Sequence, residues 1–357
     1  MSVLSAILKT LFVSFGIGGK LISNERELNS DAQQQPSVRI IEPVFRKVCD
    51  GLPTSEGPVF DTKGNFYAVS PGTKRTNNGS VDESQFRDEW AGKLHKINLE
   101  TGEKTDMCTA LVNGFGGRPA GCQSDKFDNI WIADIRLGLL KYSPGSNDCQ
   151  LVSNKDDDGN LLHGCNDLVF DKNGNLWITA PGLEVAPAQG EEATAYTIIG
   201  GNLYFLEQGH STPKAMNESF QFVNGIAIKD DLLLVAETMK RRILAFDIVS
   251  KGELANRRVW ANLPEAVYNN PMKIGGPDGM DFDNRGRLLV THHGSSHIEV
   301  FSATGVLEAR IKCPFLKPSN LHFKPGSRTC YVTEHEFDGV WEFQWETEGR
   351  PMNYFNE

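Results

Sequence analysis

The sequence predicts an all-β protein, a six-bladed β-propeller of four-stranded antiparallel blades with an N-terminal extension. Two observations predict it: a strand–turn–strand pattern occurs six times, and no helical pattern of 10–15 residues separates the copies. Each copy has a polar or small residue, an apolar stretch, a turn rich in Asp, Asn and Gly, and a second apolar strand. The copies read EGPVFDTKGNFYAV, AGCQSDKFDNIWIAD, NDLVFDKNGNLWIT, NGIAIKDDLLLVAE, DGMDFDNRGRLLVT and NLHFKPGSRTCYVTE.

The spacing of the copies is typical of propeller blades. Equivalent strand positions (66, 130, 176, 233, 288 and 330) recur every 42 to 64 residues, and a further strand-like run follows each copy. Four-stranded blades commonly take about 40–50 residues, so we expect the surplus in loops. The turns DTKG, DKNG and DNRG place Gly where a hairpin needs a positive φ. A sandwich is the alternative fold, but six similar units fit poorly into two sheets.

Two domains are predicted, an N-terminal segment of residues 1–38 and the propeller over residues 39–357. The run RIIEPVFRKV, residues 39–48, precedes the first copy, and we expect it to pair with the last blade and close the ring. Residues 2–19 are apolar at helical spacing, with Lys9 interrupting them, and residues 23–38 form a polar linker. Three interpretations of residues 2–19 stay open: a helix in weak contact with a membrane surface, a weak signal peptide, and an extension without a role. A cytoplasmic location is favoured, with secretion or membrane association left open.

Composition excludes several function classes. The net charge is −10 and no basic stripe is present, so nucleic-acid binding is not expected. The seven cysteines are scattered without a CxxC pair, which argues against a zinc knuckle and favours small buried thiols in a reduced compartment. Neither GxSxG nor HExxH occurs, and the DDDGN run at 156–160 is interpreted as a solvated turn rather than an EF-hand loop.

The first residues of the six copies point to a metal site. If they begin the innermost strands, they converge on the central channel. Five of the six carry side-chain oxygen donors, the ligands that Ca²⁺ prefers: Glu56, Ala120, Asn166, Asn224, Asp278 and Asn320. The alternative is that Asn and Asp begin these strands only because they suit turns.

Two further residues follow these positions. Asp281 lies three residues beyond Asp278, so in a regular strand it points to the other face and either binds a second ion or supports the first site. His322 lies two residues beyond Asn320, and a lone histidine of this kind is more often a hydrogen-bonded core residue than a ligand.

Longer motifs resemble a known family. The segments EGPVFD, NGFGGRPAGCQ, ADIRLGLL, GCNDLVFDKNGNLWITAPG, VNGIAI, DGMDFD, GSSHIEVF, CPFLKPSNLHFKP and VTEHE resemble those of the diisopropyl-fluorophosphatases. These are calcium-dependent phosphotriesterases in the broad superfamily of regucalcin, gluconolactonases and paraoxonases. The resemblance runs from about Ile40 to Trp345 and implies a six-bladed propeller, in agreement with the repeats.

The resemblance also implies a site. It implies two calcium ions: a catalytic ion held by Glu56, Asn166, Asn224 and Asp278, and a structural ion held by Asp281, the main-chain carbonyl of Leu321, and His322. It implies that Asp167 orients the ligands and that the substrate pocket is lined by His293, Ile135, Ser319, Asn320 and His335. The chain departs from the family at His293, where the family has tryptophan, at Ile135, where it has methionine, and in the loop 182–200.

The implied activity is hydrolysis of organophosphorus triesters and fluoridates, with Ca²⁺ polarising the phosphoryl oxygen. The attacking group stays open between Asp278, which would form a phosphoenzyme, and a calcium-bound water. A lactonase using the same calcium site is the alternative, and a non-catalytic calcium-binding propeller is a further one. We expect a monomer that acts on a small molecule.

Overall fold

The computed structural model describes residues 37–72, 74–75, 81–82, 91–162, 164–184, 197–198, 200–266 and 275–352. Residues 37–357 form one compact unit. The predicted segment 2–19, almost all of the predicted linker and most of the loop 182–200 lie outside the described residues, so the boundary at residue 38 stays a prediction. In the described ranges, no helix has the length and apolar character needed to cross a membrane.

The described chain is built almost entirely of strands, and its first half forms three four-stranded antiparallel blades. Two strands, β1 (Arg39–Ile41) and β2 (Arg46–Cys49), come before the first blade. Blade 1 contains β3 (Glu56–Phe60), β4 (Phe66–Ser70), β7 (Lys93–Ile97) and β8 (Lys104–Thr109), with the hairpin β5 (Lys74–Arg75) and β6 (Val81–Asp82) between β4 and β7. After the hairpin β9 (Leu111–Val112) and β10 (Phe115–Gly116), blade 2 contains β11 (Pro119–Ser124), β12 (Ile130–Asp134), β13 (Gly138–Tyr142) and β14 (Cys149–Ser153). Blade 3 contains β15 (Leu168–Phe170), β16 (Leu176–Ala180), β19 (Asn202–Leu206) and β20 (Lys214–Ala215), with the hairpin β17 (Leu183–Glu184) and β18 (Thr197–Ile198) after β16.

The second half adds three blades of the same design. Blade 4 contains β21 (Val223–Lys229), β22 (Leu232–Glu237), β23 (Arg242–Ser250) and β24 (Glu253–Asn262), with a 3₁₀ turn at Thr238–Lys240. Blade 5 contains β25 (Gly276–Phe282), β26 (Leu288–His293), β27 (His297–Phe301) and β28 (Leu307–Lys312). Blade 6 contains β29 (Pro318–Phe323), β30 (Thr329–Glu334) and β31 (Val340–Gln344), and β2 supplies its fourth strand.

The six blades close into a ring. The first strand of every blade contacts the first strands of both neighbouring blades, and the β29–β3 contact joins the last blade to the first. The predicted closure by the segment before the first copy is confirmed, because β2 pairs antiparallel with β31. The adjoining β1 pairs instead with β28 in parallel and becomes a fifth strand of blade 5, which we did not predict. The fold is therefore the predicted six-bladed β-propeller.

The Asp-rich turns hold the first two strands of a blade together. Gly64, Gly174 and Gly286 have φ values of 78°, 77° and 77°, so the expected positive φ of DTKG, DKNG and DNRG is confirmed. In blade 3, the Asp171 carboxylate accepts hydrogen bonds from the backbone amides of residues 173 and 175 and from the indole Nε1 of Trp177. The repeated aspartate is thus a structural group of the turn.

Apolar side chains fill the spaces between neighbouring blades. Phe60, Phe66 and Tyr331, for example, pack together between blades 1 and 6. Cys108 and Cys149 form a disulfide between the outer strands β8 and β14 of blades 1 and 2. The expectation that all seven cysteines are thiols is therefore wrong for this pair, while the other five are free and buried.

Candidate active site

The residues that begin the six sequence copies lie at or near the starts of the innermost strands. Glu56 is the first residue of β3, Asn224 the second of β21 and Asp278 the third of β25, while Asn166 precedes β15 by two residues. Glu56, Asn224, Asp278 and Asn320 are buried, with 6–8 % of their surface exposed, and Asn166 is half-buried. The structure therefore brings the predicted oxygen donors to one end of the central channel.

A β-bulge occurs at this position in five of the six inner strands. The pairing register shifts between Glu56 and Val59 in β3 and between Pro277 and Met280 in β25, and β11, β21 and β29 shift at the equivalent place. A bulge adds a residue without a partner and redirects the side chains around it. The strict alternation of side chains between the two faces of a strand, which predicts that Asp278 and Asp281 point to opposite faces, therefore does not hold across the bulge in β25.

Glycines after the leading residues let neighbouring strands approach closely. A Cβ atom at Gly225 would lie 2.0 Å from the carbonyl oxygen of Asp278, and one at Gly279 would lie 2.1 Å from Oδ1 of Asn320. Any larger residue at either position would displace a neighbouring strand at the site. The glycines therefore set the separation of the donor residues.

A set of buried hydroxyl groups fixes the inner strands to one another. The Thr179 hydroxyl donates to the carbonyl of Asn224 at 2.6 Å, Thr238 to that of Pro277 at 2.7 Å and Thr291 to that of Ser319 at 2.6 Å. Thr179 and Thr291 lie near the ends of the second strands of blades 3 and 5, and Thr238 directly follows that of blade 4; each holds the first strand of the next blade. Sequence reasoning missed this set, although Thr179 and Thr291 stand at the same place in the copies ending WIT and LLVT.

Two buried carboxyl groups, Glu56 and Asp278, lie close enough for their charges to interact. Burial raises the pKa of both well above the ordinary value; repulsion from Asp167 adds to the shift of Glu56, and repulsion from Glu56 adds to that of Asp278. The Asn224 side chain hydrogen-bonds to Asp278, and Nε2 of His335 lies 2.8 Å from Oε1 of Glu56. The site has the electrostatics of converging anions that a cation would stabilise.

Asp167 repels both of these carboxyls and is held by the backbone. Its Oδ1 accepts a hydrogen bond from the amide of Leu168 at 2.8 Å and its Oδ2 one from Ile226 at 3.3 Å. Burial raises the pKa of Asp167 to about 7, and these amides and a hydrogen bond from Asn320 oppose that shift. Among the described residues, no three His, Cys, Asp or Glu side chains form a metal-binding group, so amide oxygens would have to complete a cation site here.

The predicted second site lies at another part of the channel. Nδ1 of His322 is 3.1 Å from Oδ2 of Asp281, and the amide of Phe323 donates to the same oxygen at 3.1 Å. Both side chains line a cavity with Arg350 and Met352 of the C-terminal segment. The structure thus brings Asp281 and His322 together and places Leu321 between His322 and Asn320 on β29.

The predicted pocket residues differ in their access to a substrate. His293 ends β26, and its ring centroid is 5.4 Å from that of His335 in an edge-on arrangement. Ile135 is half-buried and donates its amide to the carbonyl of Arg118, a cation that opposes the raised pKa of Glu56. Ser319 is fully buried; its hydroxyl donates to the carbonyl of Ser55 at 2.9 Å and its side chain also hydrogen-bonds to Glu56, so it supports a proposed ligand.

Comparisons with known proteins agree with the fold and show the family. The family model of the SMP-30/Gluconolactonase/LRE-like region matches residues 54–336. The chain is 42 % identical over 322 residues to the diisopropyl-fluorophosphatase of Loligo vulgaris, which covers 88 % of this chain and 96 % of that protein.

Solved structures of low sequence identity share the fold. A gluconolactonase from Xanthomonas campestris superposes with a TM-score of 0.65 at 20 % identity, covering 84 % of this chain and 89 % of that one. A calcium-binding protein, regucalcin, from Agrobacterium tumefaciens superposes with a TM-score of 0.64 at 17 % identity, covering 88 % and 97 %.

Proposed function

Since this chain belongs to the SMP-30/gluconolactonase/LRE-like family and is a diisopropyl-fluorophosphatase-like hydrolase, we propose that it is a calcium-dependent phosphotriesterase. It hydrolyses the P–F bond of organophosphorus fluoridates and the corresponding ester bond of related triesters. The observation that carries the proposal is the buried pair Glu56 and Asp278, whose charges repel each other, with the side chain of Asn224 hydrogen-bonded to Asp278. A buried anion pair of this kind is costly unless a cation or protons offset it. The relative with which the chain shares most of its length carries the name of this activity.

The donor set fits calcium. Glu56 and Asp278 supply carboxylate oxygens and Asn166 and Asn224 supply amide oxygens, which are the ligand types that Ca²⁺ prefers and zinc does not. When bound, Ca²⁺ would polarise the phosphoryl oxygen as a Lewis acid and offset the repulsion between the carboxyl groups. Asp281, His322 and the carbonyl of Leu321 are the proposed ligands of a second, structural ion.

The remaining steps use residues of this chain. His293 and His335 form one wall of the pocket and would position the substrate above Asp278, while Asp167 and Ser319 keep the ligand side chains in place from below. The attacking group is either the Asp278 carboxylate, giving a phosphoaspartate that water then hydrolyses, or a water molecule. A single turnover in ¹⁸O water distinguishes them when product and protein are both analysed. Unlabelled first-turnover product with ¹⁸O in the Asp278 carboxylate indicates attack by Asp278 and hydrolysis at the carbonyl carbon, whereas labelled product from a protein that yields no phosphoaspartate on acid quench indicates water.

A lactonase is the second candidate function. The pairing of His293 with His335 makes this wall more polar than a tryptophan would, and polar walls favour hydroxylated substrates over the alkyl groups of organophosphorus compounds. The same donor set would polarise a lactone carbonyl. Reverting this difference with His293→Trp should raise the kcat/KM for an alkyl fluoridate relative to that for an aliphatic lactone, by about tenfold or more.

The deciding experiment compares fluoride release from diisopropyl fluorophosphate by the wild-type protein and by Asp278→Asn and Glu56→Gln variants, each with calcium. Asp157→Asn, an exposed acid outside the channel, is the matched control. The proposal expects activity in the wild type and the control and at least a hundredfold loss in both channel variants. Equal activity in all four proteins would contradict it, and hydrolysis of lactones alone would favour the second candidate.

A further inference from the structure

A second set of chemically competent side chains lies in blade 1, outside the channel. Ser70 ends β4, His95 is in β7 and Asp106 is in β8, on three neighbouring strands of one sheet. The hydroxyl Oγ of Ser70 is 2.8 Å from Nε2 of His95, and Nδ1 of the same ring is 2.8 Å from Oδ1 of Asp106. Hydroxyl, imidazole and carboxylate stand in line at hydrogen-bond distance, with each ring nitrogen facing a different partner.

The carboxylate selects one form of the imidazole. A neutral ring has one N–H donor and one acceptor nitrogen. With an ionised Asp106 beside Nδ1, the proton is held on Nδ1, since the other form would place a lone pair against the carboxylate. Nε2 is then the acceptor, and the Ser70 hydroxyl donates to it. This is the arrangement in which an imidazole can take a proton from a serine.

The charges around the ring maintain that state. Burial lowers the pKa of His95, although Asp106 opposes this shift, so the ring is a neutral base at neutral pH. Burial acts to raise the pKa of Asp106, but hydrogen bonds from Lys93 and His95 outweigh it and hold the pKa below its ordinary value. The Nζ of Lys93 is 2.6 Å from the second oxygen of Asp106.

The position of the serine makes the site separate from the channel but close to the pocket end of the blade. Glu56 is paired with Val69, the residue before Ser70, so Ser70 lies at the same end of the blade and one strand further out. Ser70 keeps 8 % of its surface and His95 keeps 4 %. A compact electrophile should therefore react at Ser70 more readily than a bulky one.

We propose that Ser70, His95 and Asp106 form a second nucleophilic site, with Ser70 as the nucleophile, that reacts with activated esters and organophosphorus fluoridates. With a fluoridate, the bond from Oγ of Ser70 to phosphorus forms, the P–F bond breaks and fluoride leaves with its electron pair. The serine proton passes to Nε2 of His95, and Asp106 stabilises the imidazolium. Asp106 is a positioning residue, since it contacts the ring and not the reagent. The proposal does not depend on the calcium site.

The test is covalent labelling with a small alkyl fluorophosphonate probe, measured by intact mass and peptide mapping. It is made in the wild type and in Asp278→Asn, a variant in which the channel should not consume the probe. The site predicts one adduct on Ser70 in both backgrounds. Ser70→Ala should abolish it, while Ser302→Ala, which removes a serine hydroxyl bound to Thr304 in a surface turn, should leave it unchanged.

The second part of the test examines Asp106, the positioning residue. Asp106→Asn should slow labelling of Ser70 by about a hundredfold or more, and Asp106→Glu should recover part of the rate. Unfolding midpoints of all variants show whether the fold is retained. Absence of an adduct on Ser70 in a folded protein would overturn the proposal. Labelling that proceeds equally fast in Asp106→Asn would overturn it as well, because Ser70 would then be only an accessible serine.

Discussion

Compared with the wild type, Asp278→Asn should be at least as stable without calcium and should be stabilised less by calcium. Burial and the charge of Glu56 both disfavour the Asp278 carboxylate in the folded protein. The amide removes that charge while keeping the shape and the hydrogen-bonding partner Asn224. Without metal, the variant should therefore be at least as stable as the wild type. With calcium, it should gain less, because one of two anionic ligands is lost.

The size of the difference follows from the binding equilibrium. At a calcium concentration a hundred times the Kd, binding stabilises the wild type by about 2.7 kcal/mol. If the loss of one carboxylate weakens binding a hundredfold, the same concentration stabilises the variant by only about 0.4 kcal/mol. At roughly 2 °C of unfolding midpoint per kcal/mol for a chain of this size, the wild type should gain about 5 °C and the variant about 1 °C.

Differential scanning calorimetry measures both effects in one series. Wild type and Asp278→Asn are dialysed against EDTA and then scanned with and without excess calcium at neutral pH. Asp157→Asn serves as the control and should follow the wild type. A calcium-induced gain that is equal in wild type and Asp278→Asn would show that Asp278 is not a calcium ligand. An apo variant several degrees less stable than the apo wild type would refute the electrostatic reasoning.

Three further predictions concern the stability of the fold. Asp171→Ala should lower the free energy of unfolding, measured in urea titrations, by about 2–4 kcal/mol, because it leaves two backbone amides and an indole N–H without their acceptor. The control Asp157→Ala, at an exposed position, should change the free energy of unfolding by less than about 0.5 kcal/mol. Glu299 is fully buried, and hydrogen bonds from His292 and Arg310 hold its pKa below the ordinary value of 4.5 despite burial. A depressed carboxyl pKa adds stability above pH 4.5 that is lost as the pH falls through the folded-state value, so the difference in free energy of unfolding between wild type and Glu299→Gln should narrow between pH 6 and pH 3. A difference that stays constant with pH would contradict this. The Cys108–Cys149 disulfide closes a loop with a sequence separation of 41, so its reduction should lower the free energy of unfolding by roughly 4 kcal/mol relative to the oxidised protein. An unchanged unfolding midpoint after reduction and alkylation would count against a stabilising role.

The blade count could be predicted because every blade repeats the same physical problem. In copies 1, 2, 3 and 5 an Asp in the turn accepts amide protons, as Asp171 does, and in copies 1, 3, 5 and 6 a Gly adopts a positive φ, as Gly174 does. Such requirements leave similar residue types at a similar place in most copies. The leading positions of Glu56 and Asp278 followed from the same alignment.

Other features of the structure left weaker signals in the sequence. The bulge at Asp278 adds an unpaired residue without altering the apolar pattern, so strand alternation gave no sign of it. The parallel pairing of β1 with β28 joins segments far apart in sequence, and the pairing of Cys108 with Cys149 depends on which outer strands become neighbours. The run 156–160 was interpreted as a solvated turn, but Asp156 is buried and accepts the amides of residues 158 and 160, as the turn aspartates do.

The site was predictable in its ligand types and not in its walls. The oxygen donors begin strands that must meet at the axis, so their convergence follows from the ring. The walls depend on which side chains face inward, and Ser319 shows the limit: the resemblance implies that it lines the pocket, yet it is fully buried and its side chain is hydrogen-bonded to Ser55 and Glu56. The threonine set was visible as repeated letters but had no role until the neighbouring carbonyls were in place.

The most direct test of the central claim is the initial rate of fluoride release from diisopropyl fluorophosphate, measured on one preparation with calcium, after EDTA treatment, and after calcium is restored. The account predicts release with calcium, loss with EDTA and recovery on restoration. Release at an undiminished rate after EDTA treatment, in a protein shown by metal analysis to hold no calcium, would contradict it.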